Sequence, residues 1–361
     1  MVELADIFRL HGAQYRAKFG ERMPPSHLRA MRDIEECRTP ALGGQLYICE
    51  NCDETLYSYH SCKNRHCPKC QNHQAQQWLE KQKDLLLPVN YFLVTFTLPE
   101  ELREVARSNQ KVVYDILFRA SSEALQELAS DRRFVGGQVG MCGVLHTWTR
   151  ALIYHPHVHY IVTGGGVDGQ GQWVSSGEEF LVPVKALSII FRAKVRDELK
   201  KAGLSDQVDE RVWRKDWVVH SEPVGSGESA FKYLAPYIFR VAISNNRIVK
   251  LEDGKVTFQY RERATDEMKT CTLSAEEFIR RFLQHVLPDR LVKLRYYGLM
   301  SPSNRDRLVE TRQKLAASQG QHVANQGDSV VKEPTESLRC QRCGQKMRLV
   351  ERLKPLSREP P

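Results

Sequence analysis

The chain has no long uninterrupted apolar run. Its most apolar stretch, Leu85 to Leu98, is broken by Pro88 and Asn90 and is too short to span a bilayer. The N-terminus, Met1-Val-Glu-Leu-Ala-Asp-Ile-Phe8, has no basic segment leading into an apolar core, so no secretory leader is expected. The compartment read from these absences is the reducing cytoplasm, with no membrane partner. A Gly-x-x-x-x-Gly-Lys-Ser/Thr motif is missing, which argues against a fused helicase or other P-loop ATPase. Gly164-Gly-Gly166 has no Lys-Ser/Thr after it and reads as a turn that ends a strand, not as a phosphate cradle. There are no internal repeats.

What is present is ordinary globular composition over 361 residues, 41% hydrophobic and 27% charged, enough for one large domain or two smaller ones. The net charge of +9 and pI near 9.0 suit a polyanionic partner without identifying one. Ten cysteines in a reducing compartment point to thiolate metal ligands, not disulfides.

Cys49-Glu-Asn-Cys52 and Cys67-Pro-Lys-Cys70 are two knuckles at a spacing close to that of structural zinc sites. Cys49, Cys52, Cys67 and Cys70 are therefore expected to hold one structural Zn²⁺, with Cys62 as an alternative ligand. His66 is expected to face DNA or solvent. Lys63, Arg65, Lys69 and His73 would give this module a basic face for phosphate contacts. Cys340 and Cys343 form half a site, to be closed by a distant residue such as Cys37 or left incomplete. Cys142 and Cys271 read as structural.

Hydrophobic periodicity divides the chain into an N-terminal helical arm (1–44), a zinc-binding segment (45–76), a large domain (88–300), a flexible linker with a helical stub (301–337) and a basic tail with half a knuckle (338–361). Pro24-Pro25 splits the arm into two helices, with Ser26 as a candidate N-cap for the second. In the large domain a strand at 91–98 precedes a helix from about 100 to 129. Two strand segments, 134–149 and 153–163, are close enough to pair, and a helix at 184–202 and a strand at 217–220 follow. After them come a hairpin at 243–260 with an Asp-Gly turn, a helix at 273–286 and a strand at 292–297. This order predicts an α+β fold with a mainly antiparallel sheet.

The sharpest chemistry lies in Tyr154-His-Pro-His-Val-His159. His157 and His159, two apart on a strand, project from the same face and can reach one divalent ion. A third ligand is needed. His146, on the preceding strand, is the best candidate, with Gln138, Glu178 and His155 behind it. Downstream, Tyr233 and Tyr237 are four residues apart, which on a helix puts both phenols on one side. A metal that polarises a phosphate, with phenols to attack it, is machinery for cutting and rejoining a nucleic-acid strand. The covalent phosphotyrosine would preserve the phosphodiester energy for a later joining step.

These motifs resemble the two-tyrosine HUH transposases of rolling-circle insertion sequences, the insertion sequence 91 family. The likeness rests on Ser61-Cys-Lys-Asn-Arg-His-Cys-Pro-Lys-Cys-Gln71, Thr95-Phe-Thr-Leu-Pro99, Leu145-His-Thr-Trp148, His155-Pro-His-Val-His159, Tyr233-Leu-Ala-Pro-Tyr237 and Ile243-Ser-Asn-Asn-Arg247. It implies a Rep-like HUH nuclease domain behind a small zinc-binding domain, with Mg²⁺ or Mn²⁺ at the histidines. Single-stranded DNA at element ends and target would be the substrate, a 5′-phosphotyrosine with a free 3′-OH the intermediate, and a host helicase a candidate partner. Arg247 joins Lys63, Arg65 and Lys69 as an expected DNA contact. Pro236 departs from the basic residue of the family pattern and weakens a helix between the tyrosines, so the order of attack stays open. A replication initiator or relaxase, and a non-catalytic zinc-dependent DNA-binding regulator, are the competing readings.

Overall fold

The computed structural model describes residues 2–70, 85–226, 229, 241–262, 265–318 and 338–356. Helices α1 (Leu4–Phe19) and α2 (Pro25–Glu36) open the chain, striped by Leu4, Ile7, Phe8 and Tyr15 and by Ala30, Met31 and Ile34. The break falls at the prolines, but Pro25 is itself the first residue of α2. Ser26 therefore lies inside the helix and does not cap it.

Strands β1 (Gly44–Cys49) and β2 (Thr55–Tyr59) form a hairpin whose turn carries the first cysteine knuckle. Then come β3 (Asn90–Thr97), α3 (Arg103–Ser108), α4 (Gln110–Ser130), β4 (Gln138–Trp148), β5 (Tyr154–Val167) and β6 (Trp173–Ser175). Helix α5 (Val184–Lys201) leads to β7 (Val219–Ser226). The rest comprises β8 (Ile248–Glu252), β9 (Lys255–Arg261), β10 (Met268–Ser274), α6 (Ala275–Leu283), β11 (Leu294–Gly298), α7 (Arg305–Ser318) and β12 (Met347–Leu353).

The fold is α+β, and every strand pairing described is antiparallel. The central sheet runs β11-β4-β5-β3-β7, with β6 beside β5. One face packs on α4 and α5: Phe92, Val94 and Phe96 of β3 and Val158, Tyr160 and Val162 of β5 meet Tyr114, Leu117, Phe118 and Phe191. The other face is less covered and carries the polar residues described below.

Three expectations change. Gly164 to Gly166 is not a turn: β5 runs through it, and its neighbours come too close for side chains. A Cβ on Gly164 would lie 2.7 Å from the Asn90 carbonyl, and one on Gly166 2.7 Å from the Gly137 backbone. The β8–β9 hairpin, with Asp253 and Gly254 at positive φ in its turn, joins β10 in a separate sheet. The C-terminal tail is no appendage, because β12 pairs with β1 and makes a three-stranded sheet β12-β1-β2.

Candidate metal centre and zinc-binding domain

Strand β5 alternates strictly through its first half. Tyr154, Pro156, Val158 and Tyr160 are buried, while His155, His157 and His159 project from the opposite face. The ladder sets His146 of β4 opposite His157, and Thr95 of β3 opposite both His159 and His220 of β7. Directly opposed residues share a face, so the sheet gathers these side chains from four strands. Between His146 and Trp148 the ladder slips, with one extra residue on β5. Pro156 sits in that bulge, where a missing N–H costs nothing.

The ligating nitrogens of His146, His157 and His159 lie within 4.8 Å of one another. His157 Nδ1 is 2.7 Å from the His155 carbonyl, so it carries the proton and leaves a lone pair on Nε2. His159 Nδ1 is 2.9 Å from Thr95 Oγ1. His146 is buried and stacks on Trp148 with ring centroids 4.7 Å apart. Behind that indole, Lys293 Nζ is 5.8 Å from the ring centre, and burial pushes its pKa down to about 7. Three imidazoles, two of them held by outer hydrogen bonds and the third by stacking on Trp148, form a donor set suited to a divalent transition-type cation.

Of the other candidates for a third ligand, His155 lines the same cleft but is engaged by Arg103, and the other two lie elsewhere. His155 Nδ1 accepts from Arg103 at 3.1 Å, and burial followed by the Arg103 charge lowers its pKa. Gln138 lies at the far end of β4 opposite Val167, bonded to Arg307, and Glu178 is in an exposed loop. The histidines open onto a cleft of about 480 Å³ whose other walls include Thr97, Arg150, Glu222, Arg247 and Arg261. Thr95, His220 and Glu222 were not picked from the sequence as site residues. Their signal is strand alternation on β3 and β7, legible only once β3 is known to lie beside β5 and β7 beyond it. Tyr233 and Tyr237 lie outside the described residues.

The cysteines are arranged differently from the sequence reading. The two knuckles do not share an ion. Cys67 and Cys70 join Cys37 and Cys62, whereas Cys49 and Cys52 join Cys340 and Cys343. In the first cluster Cys70 Sγ is 3.5 Å from Cys37 Sγ and 3.6 Å from Cys62 Sγ. In the second, Cys49–Cys343 is 3.4 Å and Cys52–Cys340 is 3.6 Å. A tetrahedron with 2.3 Å Zn–S bonds has edges of about 3.8 Å, close to these separations, whereas a disulfide needs about 2 Å. Hydrogen bonds from Cys37, Cys62 and Cys67 hold the Cys70 thiol far below its ordinary range, while those with Cys37 push Cys62 and Cys67 up. Cys37 is lowered as well, to about 7, so the four facing thiols divide into two that ionise readily and two that do not. A divalent cation lets the other two ionise. The knuckles part because α2 carries Cys37 to the Cys67 knuckle, while the β1–β12 pairing brings Cys340 and Cys343 to the hairpin turn.

The expected basic face of this module is also revised. Arg65 donates to the Leu291 carbonyl at 2.7 Å and the Pro288 carbonyl at 2.8 Å, and burial lowers its pKa. Lys69 pairs with Glu3 at 2.5 Å. His66 is half-buried and its ring is engaged by the protein: Nε2 accepts from the Leu287 N–H at 3.3 Å, and burial keeps the ring neutral. Arg65 and His66 tie the knuckle to the segment after α6, and Lys69 ties it to the start of α1. Lys63 is exposed, and His73 lies outside the described residues. Arg247 does line the histidine cleft, with donors directed at the carbonyls of Arg150 and Gln259.

Comparison with known proteins agrees with this architecture. A family model described as "Transposase zinc-binding domain" matches residues 7–98, and one described as "Putative transposase" matches residues 140–307. The protein y4qJ of Sinorhizobium fredii (strain NBRC 101917 / NGR234), which carries that second description, is 41% identical over 338 residues, covering 88% of this chain and 85% of its own. The transposase for insertion sequence element IS801 of Pseudomonas savastanoi pv. phaseolicola is 30% identical over 300 residues, covering 75% of this chain and 71% of its own. No solved structure matches. The family matches define a DNA transposase with a zinc-binding domain, and its cysteines form two four-membered clusters. Within that class, the chain belongs to the insertion sequence 91 family. Its second cysteine cluster is completed by Cys340 and Cys343, beyond both matched ranges.

Proposed function

We propose that this transposase nicks and rejoins single-stranded DNA through a 5′-phosphotyrosine and mobilises its element by a rolling-circle mechanism. The observation that carries the reading is the convergence of His146, His157 and His159 on one face of the central sheet, open to a cleft of about 480 Å³. A divalent ion held there would polarise a non-bridging phosphate oxygen and stabilise charge in the transition state. Three imidazoles favour Mn²⁺ over Mg²⁺ on donor type.

Tyr233 and Tyr237 are the proposed nucleophiles. A phenol oxygen attacks phosphorus, the bond to the 3′ oxygen breaks, and that oxygen leaves as a 3′-OH with a proton from solvent while the phenol proton is lost to solvent. The strand's 5′ phosphate is then esterified to tyrosine, and a 3′-OH reverses the step to rejoin. Two tyrosines can hold two strand ends at once, which strand transfer requires. Arg247, ten residues after Tyr237 in sequence, lines the cleft. Arg150 and Arg261 add positive charge for a phosphate.

The test is a labelled single-stranded oligonucleotide from the element's end, incubated with protein and Mn²⁺. A covalent adduct is expected, lost in His157→Ala and in the Tyr233→Phe/Tyr237→Phe double variant, with DNA binding largely retained because affinity comes mainly from phosphate contacts. An adduct in the double variant would place the nucleophile elsewhere. Binding without any adduct in the unaltered protein would favour a non-catalytic regulator.

A further inference from the structure

A second cleft, of about 370 Å³, lies beside the histidine centre and gathers four arginines: Arg103 and Arg107 of α3, and Arg280 and Arg281 of α6. Leu152, Ile153 and Tyr154 form its apolar wall. The positive charge is only partly offset. Glu277 takes hydrogen bonds from both Arg280 and Arg281, Glu104 is at the rim, and Glu100 approaches Arg103 Nη1 at 3.5 Å. The Gln284 amide, with its oxygen turned towards them, accepts from Arg280 at 2.6 Å and Arg107 at 3.1 Å. Arg103 Nε is buried and has no acceptor among the described residues. A buried guanidinium N–H without a partner is unfavourable, and a small shift of the Arg103 fork would offer it to an anion's oxygen.

The cleft's position relates it to the metal centre. Arg103 Nη2 is 3.1 Å from His155 Nδ1, and His155 shares its strand face with His157 two residues on. The His155 and His157 ring centroids are 5.7 Å apart, so a single imidazole separates the Arg103 guanidinium from the metal-site histidines. We propose that this four-arginine cleft is a subsite for a backbone phosphate of the single-stranded DNA, neighbouring the phosphate held at the histidines. The proposal rests on the nicking reading only for the identity of the strand. Guanidinium forks match phosphate oxygens in pairs, and half-exposed Ile153 offers an apolar surface to the adjoining sugar or base.

The experiment is equilibrium binding of fluorescent dT20 by anisotropy, without added divalent cation, from 50 to about 300 mM salt. The Arg107→Gln/Arg281→Gln variant should bind about 10-fold more weakly near 100 mM salt, and its plot of log K against log salt should be shallower by about 0.7, the contribution of one single-strand phosphate. Arg107→Lys/Arg281→Lys should restore the slope but not all of the affinity. Arg107→Gln alone, at an exposed position, gives the same readout should the double variant fold poorly. An unchanged affinity and slope in the Gln variants would overturn the proposal, as would a slope that Lys fails to restore. Loss of stabilisation by inorganic phosphate with the DNA slope intact would also overturn it, marking a free-anion site. Binding is read without cleavage. A shallower slope in the variant, with no covalent adduct from the unaltered protein, would therefore sink the nicking reading and leave the subsite standing.

Discussion

Removing Cys340 and Cys343 should detach the C-terminal strand while leaving the central domain folded. Strand β12 buries Met347, but the five residues after it are exposed, so its apolar burial contributes only about 2 kcal/mol. Bringing Cys340 back across the segment 319–337 costs about 3 kcal/mol, from (3/2)RT ln n with n near 20. Ladder hydrogen bonds along β12 and the ordering of those residues are of similar size and opposite sign. Without metal the docked tail is therefore near balance or unfavourable, and zinc, worth on the order of 10 kcal/mol, decides the outcome. The Cys340→Ser/Cys343→Ser variant should fall from two zinc ions per chain to one by elemental analysis. Amide exchange at 347–353 should rise towards that of an unfolded strand, with partial loss of protection at Gly44–Cys49, which pairs with it. Cys37→Ser should behave differently, because Cys37 is fully buried among the residues that join α1, α2 and α6. Its loss should lower the melting temperature of that whole unit. Two zinc ions retained by the Cys340/Cys343 variant, or a strand still protected there, would refute the argument.

Three further outcomes are expected. Thr95→Val removes the hydroxyl that orients His159 and should raise the Mn²⁺ concentration needed for half-maximal adduct formation by 10- to 100-fold, roughly; an unchanged requirement would show that the hydroxyl does not position the ligand. His285 is buried and its pKa is pushed down to about 3. Only the unfolded chain takes its proton as pH falls below about 6.5, so the stability this residue contributes is complete above 6.5 and is lost towards pH 3, by about 2 kcal/mol at pH 5. Denaturant titrations at pH 7.5 and 5.0 should show this loss reduced in His285→Gln, and equal losses would reject it. Gly143→Ala would place a Cβ 2.4 Å from the Tyr160 ring, and overpacking there should cost about 1–3 kcal/mol; a cost under about 0.5 kcal/mol by the same titrations would mean that the ring moves freely.

Much of the fold and of the candidate site is legible in sequence because it depends on local periodicity. The alternation Tyr154-His-Pro-His-Val-His159 dictates that His157 and His159 share a face whatever surrounds them, and the Asp253-Gly254 turn dictates the β8–β9 hairpin. Family motifs carry the class of protein, since zinc knuckles, paired histidines and tyrosines occur in a fixed order. The cysteine partners were not legible. Spacing says that each knuckle offers two thiolates to a tetrahedral ion, but it cannot say which other pair completes the shell. That choice is made by α2 bringing Cys37 to Cys67 and by β12 bringing Cys340 and Cys343 across almost 300 residues to Cys49. Arg65 and Lys69 looked like DNA contacts for the same reason: charge is visible in sequence, but the carbonyls and carboxylate that engage it are not. Local geometry is short-ranged and is written into neighbouring residues. The four-arginine cleft and both cysteine shells are long-range contacts, and only the packing of distant elements decides them.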